Sequence, residues 1–352
     1  MEKRLDYNKK DSANIFIMSI IIPILIVSTI LAFIKIIFPN ISNTVYSYLS
    51  LSLNQVALFF IFFIYNKLIN VNMIKANKVK FNLNIYQIVI IIAIGIVALY
   101  GFSPLVNYFD YLIRQVAGTQ ETFSFLDLSS PLMFIVNVIL IAGLPAICEE
   151  LIFRGVVLNG LKKYGVSLMI VLSGLLFSIM HMSLEQSIYQ FVLGMALACI
   201  VMITGSIVSS MILHFFNNFY ILFTNFVFKQ TETTLWSPQN AFDHIYPFLI
   251  AIATVAVVFA LLLLLKKCTK NPEYDLFNFK KFAKKEQSEN IDIITEANVN
   301  ATSTEVIVPT EQETAVINKK NFFSDDGNIR VVIAFAVGII VWLSEVLLTI
   351  LG

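Results

Sequence analysis

Apolar residues in this chain come in runs of twenty or more, separated by short polar turns. A helix that is apolar all round requires an apolar surround, and about 20 such residues carry a helix across the roughly 30 Å hydrocarbon core of a bilayer. Nine segments qualify: residues 14–38, 45–69, 85–109, 131–163, 166–182, 186–204, 206–228, 244–265 and 329–351, with 131–163 only partly apolar. The expected fold class is an all-α polytopic membrane protein, with about eight core transmembrane helices and one additional C-terminal transmembrane helix.

Composition agrees. Of the 352 residues, 58% are hydrophobic and 13% charged, and the mean hydropathy is +0.80. A soluble domain averages about 45–50% apolar and about 25% charged residues. The net charge of +1 gives no signal for nucleic acid. Cys148, Cys199 and Cys268 form no CxxC pattern, so neither a disulfide framework nor a zinc site is indicated by the cysteines. The basic start MEKRLDYNKK resembles the n-region of a signal peptide. The apolar run behind it exceeds the roughly 7–15 residues of an h-region, and no A-x-A site follows, so it reads as an uncleaved first span.

The basic residues orient the spans. With the N-terminus in the cytosol, the outer side keeps only Lys35, Arg114 and Lys229 of the 24 Lys and Arg. That is the positive-inside pattern, and it places the C-terminus outside a cell membrane. Residues 266–328 differ from the rest: a Lys-rich start is followed by SENIDIITEANVNATSTEVIVPTEQETAVINKK, without aromatic residues or sustained apolar period. This reads as a cytosolic, largely disordered linker whose Lys-rich start rests on anionic headgroups. Four regions are expected: membrane helices in 1–130, a membrane core domain in 131–265, the linker in 266–328 and a last helix in 329–352.

Ionisable groups inside membrane segments are costly and are functional candidates by default. Here they gather in the second half of the chain: Glu149, Glu150, Arg154, His181 and His214, with Asn217 and Asn218 beside them. In AICEELIFRG (146–155), Glu150 and Arg154 lie at i, i+4 and can pair, while Glu149 lies about 100° round the helix and is left without that partner. Glu150 is then a structural acid and Glu149 a free carboxylate suited to general-base work. Pro145 removes the backbone bond to the Ile141 carbonyl and, with Gly143, should bend or open the helix one turn before the acids. Gly165 is a natural helix end within LNGLKKYGV. If a hairpin turns there, Glu149 and His181 both sit roughly 23 Å from it. Phe177 and His181 share a face, as do His214 and Asn218. One carboxylate, two imidazoles and a carboxamide can converge in one intramembrane cavity. His244 lies near the start of the eighth span and reads as an interfacial residue.

Three motifs carry a resemblance. Glu149-Glu150-Leu-Ile-Phe-Arg154 matches EExxxR, Phe177-Ser-Ile-Met-His181 matches FxxxH, and His214-Phe-Phe-Asn-Asn218 matches HxxxN. In this order they resemble the CAAX protease and bacteriocin-processing (CPBP, or Abi) family of intramembrane proteases, relatives of the type II prenyl-protein endopeptidases. The resemblance covers roughly residues 130–225. It implies a glutamate-dependent peptidase with no obligatory metal. Glu149 and His181 would activate water, His214 and Asn218 would bind the oxyanion, and Glu150 and Arg154 would hold the helix geometry, with Phe177 in support. The implied partners are the lipid bilayer and membrane-associated peptides or proteins, such as pheromone precursors, bacteriocin leaders or remnant signal peptides.

Other readings stay open from the residues alone. Glu149, Glu150 and Arg154 could be an interfacial charge cluster that snorkels to the cytosol. Glu149, His181 and His214 could ligate zinc, although no HExxH occurs. A serine protease on Ser173 and His181 lacks a base within reach. A non-catalytic bacteriocin-immunity or scaffold protein could keep the same pocket without turnover.

Overall fold

The computed structural model describes residues 3–117, 126–228, 236–270 and 325–351. Among them the regular elements are helical, apart from a single bridge between Arg4 and Val71. The long helices are α1 (Lys9–Ile37), α2 (Asn43–Leu68) and, after the one-turn α3 (Met73–Ala76), α4 (Ile85–Ala117). A broken helix, α5, spans Pro131–Tyr164. Then follow α6 (Val166–Met180), α7 (Leu184–Thr204), α8 (Ile207–Phe228), α9 (Tyr246–Lys267) and α10 (Asp326–Leu351). Most of the expected linker falls outside the described residues, and the last helix begins three residues earlier than the sequence pattern placed it.

Eight of these helices are long and apolar enough to cross a membrane. The chain is thus an all-α polytopic membrane protein, with one correction. The segment expected as a full span at 166–182 is the 15-residue α6, about 23 Å long and short of the bilayer core. Both of its ends are fixed by the sequence. Gly165 takes φ 79° at the start, a conformation that a side chain resists. At the other end Met182 takes φ 47°, and Ser183 caps α7 by accepting from the Gln186 N–H.

Lipid-facing surface is ample: Leu25, Phe33, Phe60, Ile252, Val255 and Leu347 are all large, apolar and exposed. Such a surface is a liability in water and the expected one in hydrocarbon. Inside, α4 packs on α9, α6 on α7, and α1 on both α2 and α10. The buried core is built from Phe16, Ile91, Phe153, Phe177, Leu197 and their neighbours. The N-terminus is fastened to it. Asn8 and Asp11 form a reciprocal cap on α1, and Asp11 also receives Arg4 at 2.7 Å and the Tyr65 hydroxyl at 3.0 Å.

The crossing of α6 and α7 is a close backbone contact beside the charged residues. A Cβ on Gly194 would lie 2.9 Å from Gly174 Cα, and the Gly194 carbonyl accepts a bond from Arg154. Without side chains here the two backbones approach closely, as small residues allow between membrane helices. Gly194→Ala is therefore expected to destabilise the fold by about 1–3 kcal/mol through overpacking. A lowered midpoint of thermal unfolding in detergent checks this; an unchanged midpoint would show that the crossing has slack.

Candidate active site

The helix that carries both acids is not a regular α-helix. Its α-helical centre, Leu144–Glu150, is bracketed by the wide-turn segments Val138–Gly143 and Leu151–Val157. Pro145 supplies the cause on the N-terminal side. It has no N–H to give the Ile141 carbonyl, and the Leu144 N–H reaches back five residues to Ile139. The opening expected at Pro145 and Gly143 is thus present as a π-type turn, a distortion that recurs at functional sites. The orphaned Ile141 carbonyl finds another donor, the Asn218 side-chain amide at 2.9 Å.

Glu150 and Arg154 are fully buried and meet at 2.8 Å, one helical turn apart. The same Glu150 oxygen accepts from His214 Nδ1 at 3.0 Å; a carboxylate only accepts, so Nδ1 carries the proton. Arg154 also donates to the Gly194 carbonyl at 3.0 Å and lies over the ring of Phe177, 4.3 Å from the guanidinium carbon to the ring centre, with Phe153 further off at 5.9 Å. A planar fork that also stacks suits this environment; a lysine ammonium could not reproduce it.

Glu149 is buried beside them with a different environment. Its Oε2 lies 4.0 Å from His214 Nε2 and has no hydrogen-bond partner. Its Oε1 accepts from Gln55 Nε2 on α2 at 3.1 Å. The acid expected to stand without a partner therefore lacks a salt partner but not a hydrogen bond. Gln55 was not singled out in the sequence because an uncharged amide in a long apolar run carries no motif. The only available signal was its position seven residues after Tyr48, which puts both on one face of α2. That face turns to α5, where the Tyr48 hydroxyl donates to Asn137 at 3.0 Å.

His181 closes α6. Its Nδ1 donates to the Phe177 carbonyl at 2.8 Å, which leaves Nε2 as the acceptor nitrogen of the neutral ring. Phe177 is in edge contact with both imidazoles, its ring centre 4.7 Å from that of His181 and 5.7 Å from that of His214. The aromatic ring is thus the hub around which Arg154, His181 and His214 gather. Asn218 sits at the end of a side-chain chain: the Tyr189 hydroxyl donates to Asn217, the Asn217 amide to Asn218 at 3.0 Å, and the Asn218 amide to Ile141. The second hydrogen of that last amide is uncommitted in this chain of bonds. Tyr189 and Asn217 were also outside the motif reading. His244 is elsewhere, against Tyr108 at 3.2 Å, whose ring also contacts Trp236 and Phe248. Among the described residues no three His, Cys, Asp or Glu side chains are placed to hold a metal ion.

Residues 131–220 match the family model for Type II CAAX prenyl endopeptidase Rce1-like proteins. This stretch contains the three motifs whole, and the match is consistent with a membrane protease of the CPBP/CAAX family. Gln55 lies outside it. No curated protein and no solved structure matches the chain.

The arrangement makes Arg154 the counter-charge of a carboxylate with no access to water. Arg154→Ala would leave Glu150 buried with only His214 opposite it, at a cost of about 3–5 kcal/mol. The expected result is a large loss of folded, monodisperse protein. Normal yield and an unshifted unfolding midpoint would show that the pair does not hold the fold.

Proposed function

We propose that the chain is an intramembrane endopeptidase in which Glu149 acts as the general base on water, with no metal taking part, against membrane-associated peptides or proteins. One observation carries this reading. Two adjacent acids have different environments: Glu150 is engaged through Oε1 by Arg154 at 2.8 Å and His214 at 3.0 Å, while Glu149 has no cation that close, its nearest being His214 Nε2 at 4.0 Å, and each acid keeps one buried oxygen without a hydrogen bond. Neighbouring carboxylates pushed into different roles by their surroundings are a pattern of acid–base sites. The match of residues 131–220 to an endopeptidase family model supports the same reaction class.

The chemistry then runs as follows. A water donates its hydrogens to Glu149 Oε2 and His181 Nε2. As its oxygen bonds to the scissile carbonyl carbon, one proton passes to Glu149 and the carbonyl electron pair moves onto oxygen. The second hydrogen of the Asn218 amide and His214 Nε2 face that oxyanion, a contribution worth about 2.7–4 kcal/mol per donor in other hydrolases. Because Nδ1–H of His214 already serves Glu150, Nε2 donates only when the ring is an imidazolium. Collapse re-forms the carbonyl and breaks the C–N bond, and the leaving nitrogen takes the proton from Glu149.

In this reading the N-terminus faces the cytosol. The starts of α1 and α10 lie side by side, with Lys9 and Lys10 paired to Asp325 and Asp326. Both helices then begin on the cytosolic face, and the C-terminus ends outside. Substrates are peptides lying in or emerging from the bilayer, bacterial pheromone precursors and remnant signal peptides among them.

Comparative proteomics of membrane peptides tests the proposal, from cells with the wild type, Glu149→Gln and His181→Ala. Loss of a general base costs about 10²–10⁴-fold in rate. Peptides produced by the wild type should vanish in both variants, while both remain folded. Equal peptide patterns in all three would mark a binding protein without turnover. Activity of the purified protein should survive chelation and metal analysis should find no stoichiometric zinc; loss on chelation with recovery on adding zinc would return Glu149, His181 and His214 to the role of ligands.

A further inference from the structure

Gln55 belongs to a helix outside the matched domain, yet it makes the one hydrogen bond found on the Glu149 carboxylate. The bond is buried at both ends. Its polarity is fixed by chemistry. A carboxylate oxygen accepts only, so the Gln55 amide must present its nitrogen, and its own oxygen then points elsewhere. That oxygen, Gln55 Oε1, is buried and has no partner, and neither has Glu149 Oε2. An amide that merely tied α2 to α5 could satisfy both of its ends, as Asn137 does with its amide on the Asp127 and Met133 carbonyls and its oxygen under the Tyr48 hydroxyl. Gln55 leaves one end bare beside the acid.

Resting on the endopeptidase reading above, we infer that Gln55 is a positioning residue that selects which oxygen of Glu149 acts as the base. The terminal torsion of a glutamate is broad, so a carboxylate is not fixed by its rotamer alone. Gln55 anchors Oε1, and the torsion then has to direct Oε2 toward His214 Nε2, 4.0 Å away. The two bare acceptors, Glu149 Oε2 and Gln55 Oε1, also lie on one hydrogen-bonded pair of side chains. Buried polar atoms left open in this way mark a place for a water or a reacting group. Tyr48 and Ser52 on the same face of α2 bond to Asn137 and to the helix backbone, which holds the face that presents Gln55 against α5.

The test uses the full chain in lipid nanodiscs and two readouts. The first is the infrared band of the Glu149 carboxylate, isolated as the wild-type minus Glu149→Gln difference spectrum. Gln55→Met keeps the volume and removes the donor; Gln55→Leu replaces it if the methionine variant does not fold. The band should move and broaden in the variant, with thermal unfolding little changed. The second readout is the rate at which membrane peptides isolated from Glu149→Gln cells are cleaved. The rate at saturation should fall about tenfold or more, with the half-saturating concentration unchanged, as for a misplaced catalytic group. An unmoved band, or a moved band with an unchanged rate, overturns the assignment of Gln55. If the wild type and Glu149→Gln cleave alike, it is the endopeptidase reading that fails, and the infrared band still decides whether Gln55 holds Glu149.

Discussion

The ion pair between Glu150 and Arg154 is the constraint on which the rest of the site depends. Both groups have no exposed surface, and a charge in that position is tolerable only with its partner and its remaining hydrogen bonds in place. The partners needed to satisfy Arg154 come from three elements: Glu150 on α5, the Gly194 carbonyl on α7 and the Phe177 ring on α6. The second partner of Glu150 is His214 on α8, which donates to the same oxygen as Arg154. Four helices are thus pinned to one another by the demands of two buried charges. Because Phe177 serves Arg154 on its face and both imidazoles at its edge, the same demand sets the relative positions of His181 and His214.

The second constraint is a missing hydrogen. Pro145 leaves the Ile141 carbonyl without its helical donor, and in a bilayer no water can make up the loss. The Asn218 amide does so, which ties α8 to the opened turn just before the acids. Asn218 is itself oriented by Asn217, and Asn217 by Tyr189. A defect in one helix thereby becomes the reason a carboxamide from another stands at a fixed angle, with one of its hydrogens left over for the oxyanion role proposed above.

Much of this was legible in the sequence, and for identifiable reasons. Membrane helices follow from unbroken apolar runs, because the bilayer imposes length and apolarity on every span. Glu150 and Arg154 were paired correctly since an i, i+4 spacing is a local property of one helix. The opening at Pro145 was local too. The short α6 was not legible: its apolar run continues through Met182, and its true end is set by a positive φ at Met182 and the Ser183 cap, which hydropathy does not weigh. Gln55 and Tyr189 escaped for the opposite reason, and so did the part Asn217 plays between Tyr189 and Asn218. Their roles exist only between helices remote in sequence, and an uncharged polar residue in an apolar run has no spacing that announces its partner.

The shortness of α6 also gives the C-terminal helix a structural reason to be where it is. A helix of about 23 Å that carries His181 at its end cannot be held by bilayer thickness at both interfaces. It must be held by protein. On one side α7 packs through the Gly174–Gly194 contact. On another, α10 brings Gly338 against Ile179, two residues before His181, and against Phe16 of α1. A Cβ there would come within 2.8 Å of Ile179, so the glycine is what lets α10 close on α6. Further along, the Trp342 indole donates to Ser187 at 3.0 Å, just past the turn that His181 opens, while Tyr164 at the start of the α5–α6 hairpin donates to Asn328 at 2.8 Å. One added helix thus fastens the short histidine-bearing helix near both ends, and the pairs from Lys9 and Lys10 to Asp325 and Asp326 set its height relative to α1. The last helix of the chain is therefore coupled to the candidate active site mechanically, through the element least able to hold its own position in a membrane.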